Sequence, residues 1–251
     1  LPADLKESPR PEHIPAWEAM EPWRQKYEAN RMTTLAAMID RIDQEVGRLI
    51  VDLRSNGELD NTLILFVSDN GACPYDRKRP LLDVEPTNGD ISLGDSTGWA
   101  WARNSPFRYY KQNQFEGGIA TPAIVHWPAG LKTEAGAITD QPAHIIDFMA
   151  SAIELAGTDY PRAFEGSPIE PLQGRSLTPI FAGQQRQPHE WMDFPFGNNR
   201  SIRKGDRKLT SARGGSWELY DLQSDRTQHH DLAQSDPERA AGLEALWHRV
   251  A

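Results

Sequence analysis

A mixed α/β fold, with helices flanking a sheet and a small α+β part after it, is what this chain of 251 residues predicts. Three observations lead there. A long amphipathic pattern passes through a short turn into the apolar stretch Leu63 to Val67, and a second apolar stretch, Ala123 to Trp127, follows a long loop. Beyond Pro161 the pattern changes to short runs punctuated by glycine. The spacing therefore places an α/β part over residues 1–160 and a small α+β part with an antiparallel sheet over residues 161–251.

The first residues, up to Pro22, are rich in proline and acid and read as a connection. From Tyr27 to Leu53, Met32, Leu35, Ile39, Ile42, Val46, Leu49 and Leu53 recur at steps of three and four, which puts them on one helical face. Asn56-Gly57 stops that helix. The run Leu63 to Val67 has no polar alternation, as expected of a parallel strand covered on both faces. The loop after it is long enough to be functional. Ala123 to Trp127 reads as another central strand, with His126 a core histidine, and Asp147 as the N-cap of a helix from Phe148 to Ala156 closed by Gly157. In the last part, Ser201 to Leu209 and Trp217 to Leu222 flank Gly214-Gly215 as antiparallel strands, and Asp236-Pro237 opens a final helix with Leu243, Leu246, Trp247 and Val250 on its apolar side.

Composition narrows the function. Apolar residues at 38% and charged ones at 25% are those of a globular chain, and no run of about eighteen apolar residues is present to cross a membrane. Lysine plus arginine number 27 against 36 aspartates and glutamates, so a net charge of −9 repels nucleic acid and anionic lipid. The basic stretch Asp76-Arg77-Lys78-Arg79 lacks interleaved aromatics and reads as a solvated loop. One cysteine, Cys73, precludes an intrachain disulfide and a cysteine-rich zinc site, and leaves the compartment open.

The stretch Leu65-Phe66-Val67-Ser68-Asp69-Asn70-Gly71 carries the chemistry. Ligands of open α/β sheets sit beyond the carboxyl ends of strands, where Asp69 and Asn70 fall. A carboxylate and an amide oxygen are hard donors suited to calcium or magnesium, while Gly71 lets the chain turn away. Taken alone, Ser-Asp-Asn-Gly reads as a polar turn after a strand more readily than as a metal site. His229-His230-Asp231 has a metal-like composition but lies in a loop before the last helix, and we do not read it as a site.

The ordered set LDNTLILFVSDNGA, PFRYYKQNQFEGGIATPAIVHWPAGL, LQGRSLTPIFAG, IRKGDRKL and WELYDLQSDRTQHHDLA resembles the sulfatase family, arylsulfatases in particular, and specifically its C-terminal half. The resemblance implies an alkaline-phosphatase-like sheet and hydrolysis of organic sulfate esters, small-molecule or glycan. It implies that Asp69 and Asn70 are two ligands of a divalent metal, calcium in most members with magnesium the alternative, and that Lys111 contacts the sulfate. An ammonium there suits a transferring sulfuryl group, whose oxygens carry the charge. Arg103 and Arg108 read as structural. Gly117-Gly118 read as a tight entry into the second strand, and Ala120 stands where the family usually has arginine.

Sulfatases attack with a formylglycine made within a Cys/Ser-x-Pro-x-Arg motif. Cys73-Pro74-Tyr75-Asp76-Arg77 has tyrosine in the proline position and follows the metal motif instead of preceding it, so Cys73 reads as an ordinary loop cysteine. The formylglycine is expected in an N-terminal half outside these residues, which the chain would take as its partner, and the chain alone is expected to be inactive. The alternatives are a phosphodiesterase or phosphonate hydrolase of the same superfamily and a noncatalytic anion- or glycan-binding remnant.

Overall fold

The computed structural model describes residues 5–75 and 95–251, so the basic stretch at 76–79 lies outside the described residues. The chain forms two compact units. The first is drawn from Leu1–Asp52, Asn70–Pro122 and Trp191–Ala251, the second from Leu53–Asp69 and Ala123–Glu190.

Helix α1, Pro22–Ser55, follows the three-and-four apolar spacing and ends where Gly57 takes a left-handed φ of +73°. Its predicted apolar stripe is not buried, however: Ile39, Ile42 and Leu49 are each more than half exposed. Burial is confined to Tyr27, Glu28 and Arg31 near its start, where the Arg31 guanidinium lies 4.2 Å from the Tyr27 ring centroid. Helix α2, Thr97–Asn104, caps itself with Ser96 and docks there, Trp99 Nε1 donating to the Glu28 carbonyl at 2.8 Å.

In the second unit, β1 (Ile64–Val67) pairs with β2 (Ala123–His126), Phe66 opposite Ile124. The pairing is antiparallel, which corrects the expectation of a parallel strand buried on both faces. Continuous apolar runs do not encode direction, and here Phe66 is 51% and Ile124 63% exposed. His126 is likewise exposed and is not a core histidine. Helix α4, Asp147–Leu155, includes Asp147 within its first turn instead of before it, and is followed by the antiparallel pair β3 (Ala163–Phe164) and β4 (Ser167–Pro168) and the short helix α5 (Thr178–Phe181). The Asp147 carboxylate, fully buried, accepts from the backbone N–H groups of His144 and Arg175, at 2.7 and 2.8 Å, and is met by Arg186 and His189. It thus ties the segment 175–189 to α4 rather than capping it.

The C-terminal sheet belongs to the first unit and is antiparallel throughout, ordered β5 (Met192–Phe196), β6 (Asn199–Lys204), β7 (Arg207–Ser211) and β8 (Glu218–Asp221). The stretch read as one strand from Ser201 to Leu209 is a hairpin turning at Gly205, whose φ is +59°. Ile202, Leu209 and Leu219 lie in register across β6, β7 and β8 and are all 0% exposed. The final helix, α6 (Pro237–Val250), covers that row with Leu243, Leu246 and Trp247, its N-cap Asp236 accepting from the Arg239 N–H as the Asp-Pro signal predicts. The sheet's other face carries Ser201, Lys208, Thr210 and Tyr220, also buried, and positions the segment that holds Lys111. Among the described residues no helix is long and apolar enough to cross a membrane.

Candidate sulfate and metal site

Segment 107–118 is held by the polar face of the sheet. The short helix α3 (Glu116–Ile119) places Glu116 so that Lys208 Nζ, 0% exposed, donates to its carboxylate at 2.7 Å. Arg226 approaches the other oxygen at 3.5 Å, and the Gln228 side-chain oxygen accepts from the Glu116 N–H at 2.7 Å. Burial pushes the Glu116 carboxyl up, but the Lys208 ammonium and its hydrogen bond outweigh that and hold it below the usual carboxylate range. Arg108 is paired with Glu218 at 2.8 Å and with the Tyr220 hydroxyl at 2.7 Å, and stacks on Phe115 at 4.2 Å. Arg103 pairs with Asp95. Both arginines are committed to structural partners.

The residues after β1 meet this segment backbone to backbone. Gly71 N donates to the Gly118 carbonyl at 2.9 Å, and Lys111 N donates to the Ala72 carbonyl at 3.1 Å. Asn104 links the two stretches, accepting from Ala72 N at 3.1 Å and donating to the Tyr109 carbonyl at 3.2 Å. Close approach explains the glycines. A Cβ on Gly71 would lie 1.9 Å from the Gly117 carbonyl oxygen, and one on Gly118 would lie 1.9 Å from that of Asn113. The Gly-Gly pair therefore serves this contact, through α3, rather than the strand entry expected of it.

Asn70 and Lys111 are thereby brought into one unit, each half-buried, on two hydrogen-bonded stretches. Asp69, exposed, precedes Asn70 in the chain. Lys111 lines a cavity of about 270 Å³ together with His13, Tyr75, Tyr110, Asn113 and Arg213. His13 Nε2 is 2.9 Å from the Tyr110 hydroxyl. The carboxylate of Asp69 and the side-chain amide of Asn70 are hard oxygen donors of the kind calcium takes. Among the described residues no three His, Cys, Asp or Glu side chains gather into a fuller set, and His229 and His230 instead receive Asp225 at their backbone N–H groups. Cys73 is a half-buried free thiol. His13 and Arg213 escaped the sequence reading because no local motif marks them: they reach the cavity from about one hundred residues either side of Lys111.

Comparison with known proteins now defines the class. The sulfatase family model matches residues 6–158, and the model described as N-sulphoglucosamine sulphohydrolase, C-terminal, matches residues 107–250. The chain belongs to the sulfatase family. A resemblance confined to the family's C-terminal half is corrected by the first match, which starts near the beginning of the chain and covers most of the α/β part. An uncharacterized sulfatase of Schizosaccharomyces pombe is 31% identical over 92% of this chain and 45% of its own length. The arylsulfatase of Klebsiella aerogenes is 32% identical over 68% of this chain and 39% of its own. This chain thus spans about half or less of the curated relatives it matches. The solved structure of Ps i-CgsB in complex with k-i-k-neocarrahexaose shares the fold, with a TM-score of 0.60 and 22% identity over 89% of this chain and 42% of that one.

Proposed function

We propose that this chain forms part of an enzyme that hydrolyses organic sulfate esters, contributing Lys111 to the sulfate and Asp69 with Asn70 to a divalent metal. The observation that carries this reading is the pair of hydrogen bonds that set the Asn70-Gly71-Ala72 stretch against Lys111 and Gly118. Lys111 donates to the oxygens of the sulfuryl group and steadies the charge they carry as the ester bond breaks. Asp69 and Asn70 offer hard oxygens, and a calcium ion bound there supplies a fixed positive charge toward the same group. The buried Glu116–Lys208 pair touches no substrate; it positions the Lys111 segment.

Among these 251 residues the Cys/Ser-x-Pro-x-Arg pattern that the family modifies occurs once, as Ser235-Asp236-Pro237-Glu238-Arg239, and there it forms the N-cap and first turn of α6, Asp236 accepting from the Arg239 N–H. This reading gives that stretch a capping role and takes the formylglycine nucleophile from outside these residues, so the purified 251-residue chain turns over no aryl sulfate. The organic part of the substrate is a small aryl group or a sugar. The Klebsiella aerogenes relative's name supports the first, and the sugar in the C-terminal family's description and the neocarrahexaose complex support the second.

The test is substrate preference in the complete protein. Turnover of 4-nitrophenyl sulfate that exceeds turnover of bis(4-nitrophenyl) phosphate, and that falls when calcium is chelated and returns on adding it back, is expected. A preference for the phosphodiester assigns the site to phosphoryl transfer instead, and absence of both activities leaves the noncatalytic binding role.

A further inference from the structure

The cavity beside Lys111 carries more positive charge than a single sulfate calls for. Its second cation, Arg213, stands on the turn between β7 and β8, and none of the described lining residues is a carboxylate. Most of the other cations around this part of the fold have acidic partners: Arg108 has Glu218, Arg207 has Asp221 and Lys208 has Glu116. Among the described residues no carboxylate pairs with Lys111 or with Arg213.

A single exposed arginine without a partner is ordinary. Here its backbone is also held where arginine has little reason to be. Arg213 has a φ of +53°, in the left-handed region that costs a residue with a Cβ about 1 kcal/mol or more. Neighbouring contacts impose it: Arg213 N donates to Asn199 Oδ1 at 2.8 Å, Gly214 N to the Asn198 carbonyl at 2.7 Å, and Ser211 Oγ to the Gly215 carbonyl at 2.7 Å. Gln112, the residue after Lys111, is left-handed too, with φ of +71°, and lines the same cavity. Arg213 itself and the residue after Lys111 are thus held in left-handed turns, and the two cations line one space. At about 270 Å³ that space is near the lower end of small-ligand sites, enough for a sugar-sized unit.

We propose that Arg213 is a second anion subsite, so that the cavity takes a sulfate ester whose organic part bears another negative group, a sulfate or a carboxylate. The guanidinium fork matches either group through two parallel hydrogen bonds. Lys111 takes the scissile sulfate and Arg213 the other anion, an assignment that rests on the sulfate reading of Lys111 given above.

Calorimetric titration of the 251-residue chain with glucose 6-sulfate, glucose 3,6-disulfate and a glucuronic acid monosulfate tests this. The wild-type chain should bind at least one doubly charged probe about tenfold more tightly than the monosulfate, the scale of one charge-assisted contact. The two doubly charged arms tell sulfate from carboxylate. Arg213→Asn removes the charge but suits the left-handed backbone, and should bring the ratio close to parity at unchanged circular dichroism; Arg213→Lys should keep part of it. No measurable binding of either doubly charged probe, no preference in the wild type, or a preference that survives Arg213→Asn overturns the proposal. Failure of the sulfate reading shows separately: Lys111→Gln would then leave glucose 6-sulfate binding untouched, while the wild-type to Arg213→Asn ratio still reports on the second subsite.

Discussion

Lys208 and Glu116 illustrate how much a single residue of this fold depends on its partner. Neither side chain is more than 3% exposed, so removing one strands the other as a buried charge. Lys208→Met is expected to destabilise by about 3–5 kcal/mol, whereas the double change Lys208→Met with Glu116→Leu should recover much of the loss. Denaturant midpoints of the single and double variants check this. Acid should act on the same group. The Glu116 carboxyl is held low, and so is that of Asp147, where burial raises it and the Arg175 and His144 N–H groups with His189 and Arg186 outweigh that. A folded pKa below the unfolded one contributes stability that is present above the unfolded value and lost as pH falls through the folded one. Melting temperature is thus expected to hold down to about pH 4.5 and then fall steadily with further acidification, because unfolded carboxylates begin to protonate there. At this scale the sequence was partly legible. The Asp69-Asn70 pair and Lys111 stand out beside their motif residues, whereas the contacts of Glu116, Asp147 and Arg213 depend on partners up to 112 residues away that no local pattern announces.

Elements were easier to read than their neighbours. The spacing of Leu35, Ile39 and Ile42 marks α1, and Asp236-Pro237 marks α6, because capping and periodicity are local. Strand direction was not legible: an apolar run such as Leu63 to Val67 reports burial tendency and says nothing of the partner's sense. The Ser201 to Leu209 hairpin reads as one strand in the sequence because its turn is only two residues, Gly205-Asp206, between Lys204 and Arg207. The glycines divide in a way that mutation can expose. Gly118→Ala puts a carbon 1.9 Å from a backbone oxygen that cannot move aside, and should cost several kcal/mol, about the upper range for a single substitution, or block folding. Gly47→Ala, within α1 and with nothing within 4 Å, should stabilise by about 0.5–1 kcal/mol. Chemical denaturation of both variants against the wild type gives opposite signs if α3 is held by backbone contact as described.

On the scale of the molecule, the C-terminal sheet acts as the mould for the Lys111 segment. One face seals against α6 with a row of Ile202, Leu209 and Leu219, and the other presents Lys208 and Tyr220 to Glu116 and Arg108. Family membership explains why the motifs occur in this order, and the chain spans 45% and 39% of the length of two curated relatives. Ile42 on α1 and Ile124 on β2 stay exposed although their sequence pattern reads as buried. The proposed activity depends on the ammonium of Lys111 facing the sulfate, and kcat/KM of the complete protein toward 4-nitrophenyl sulfate tests it most directly. Lys111→Ala should lower that value by about 10²–10³ with the melting temperature unchanged, the scale of losing one donor to a transition-state oxygen. Equal kcat/KM in variant and wild type would contradict it.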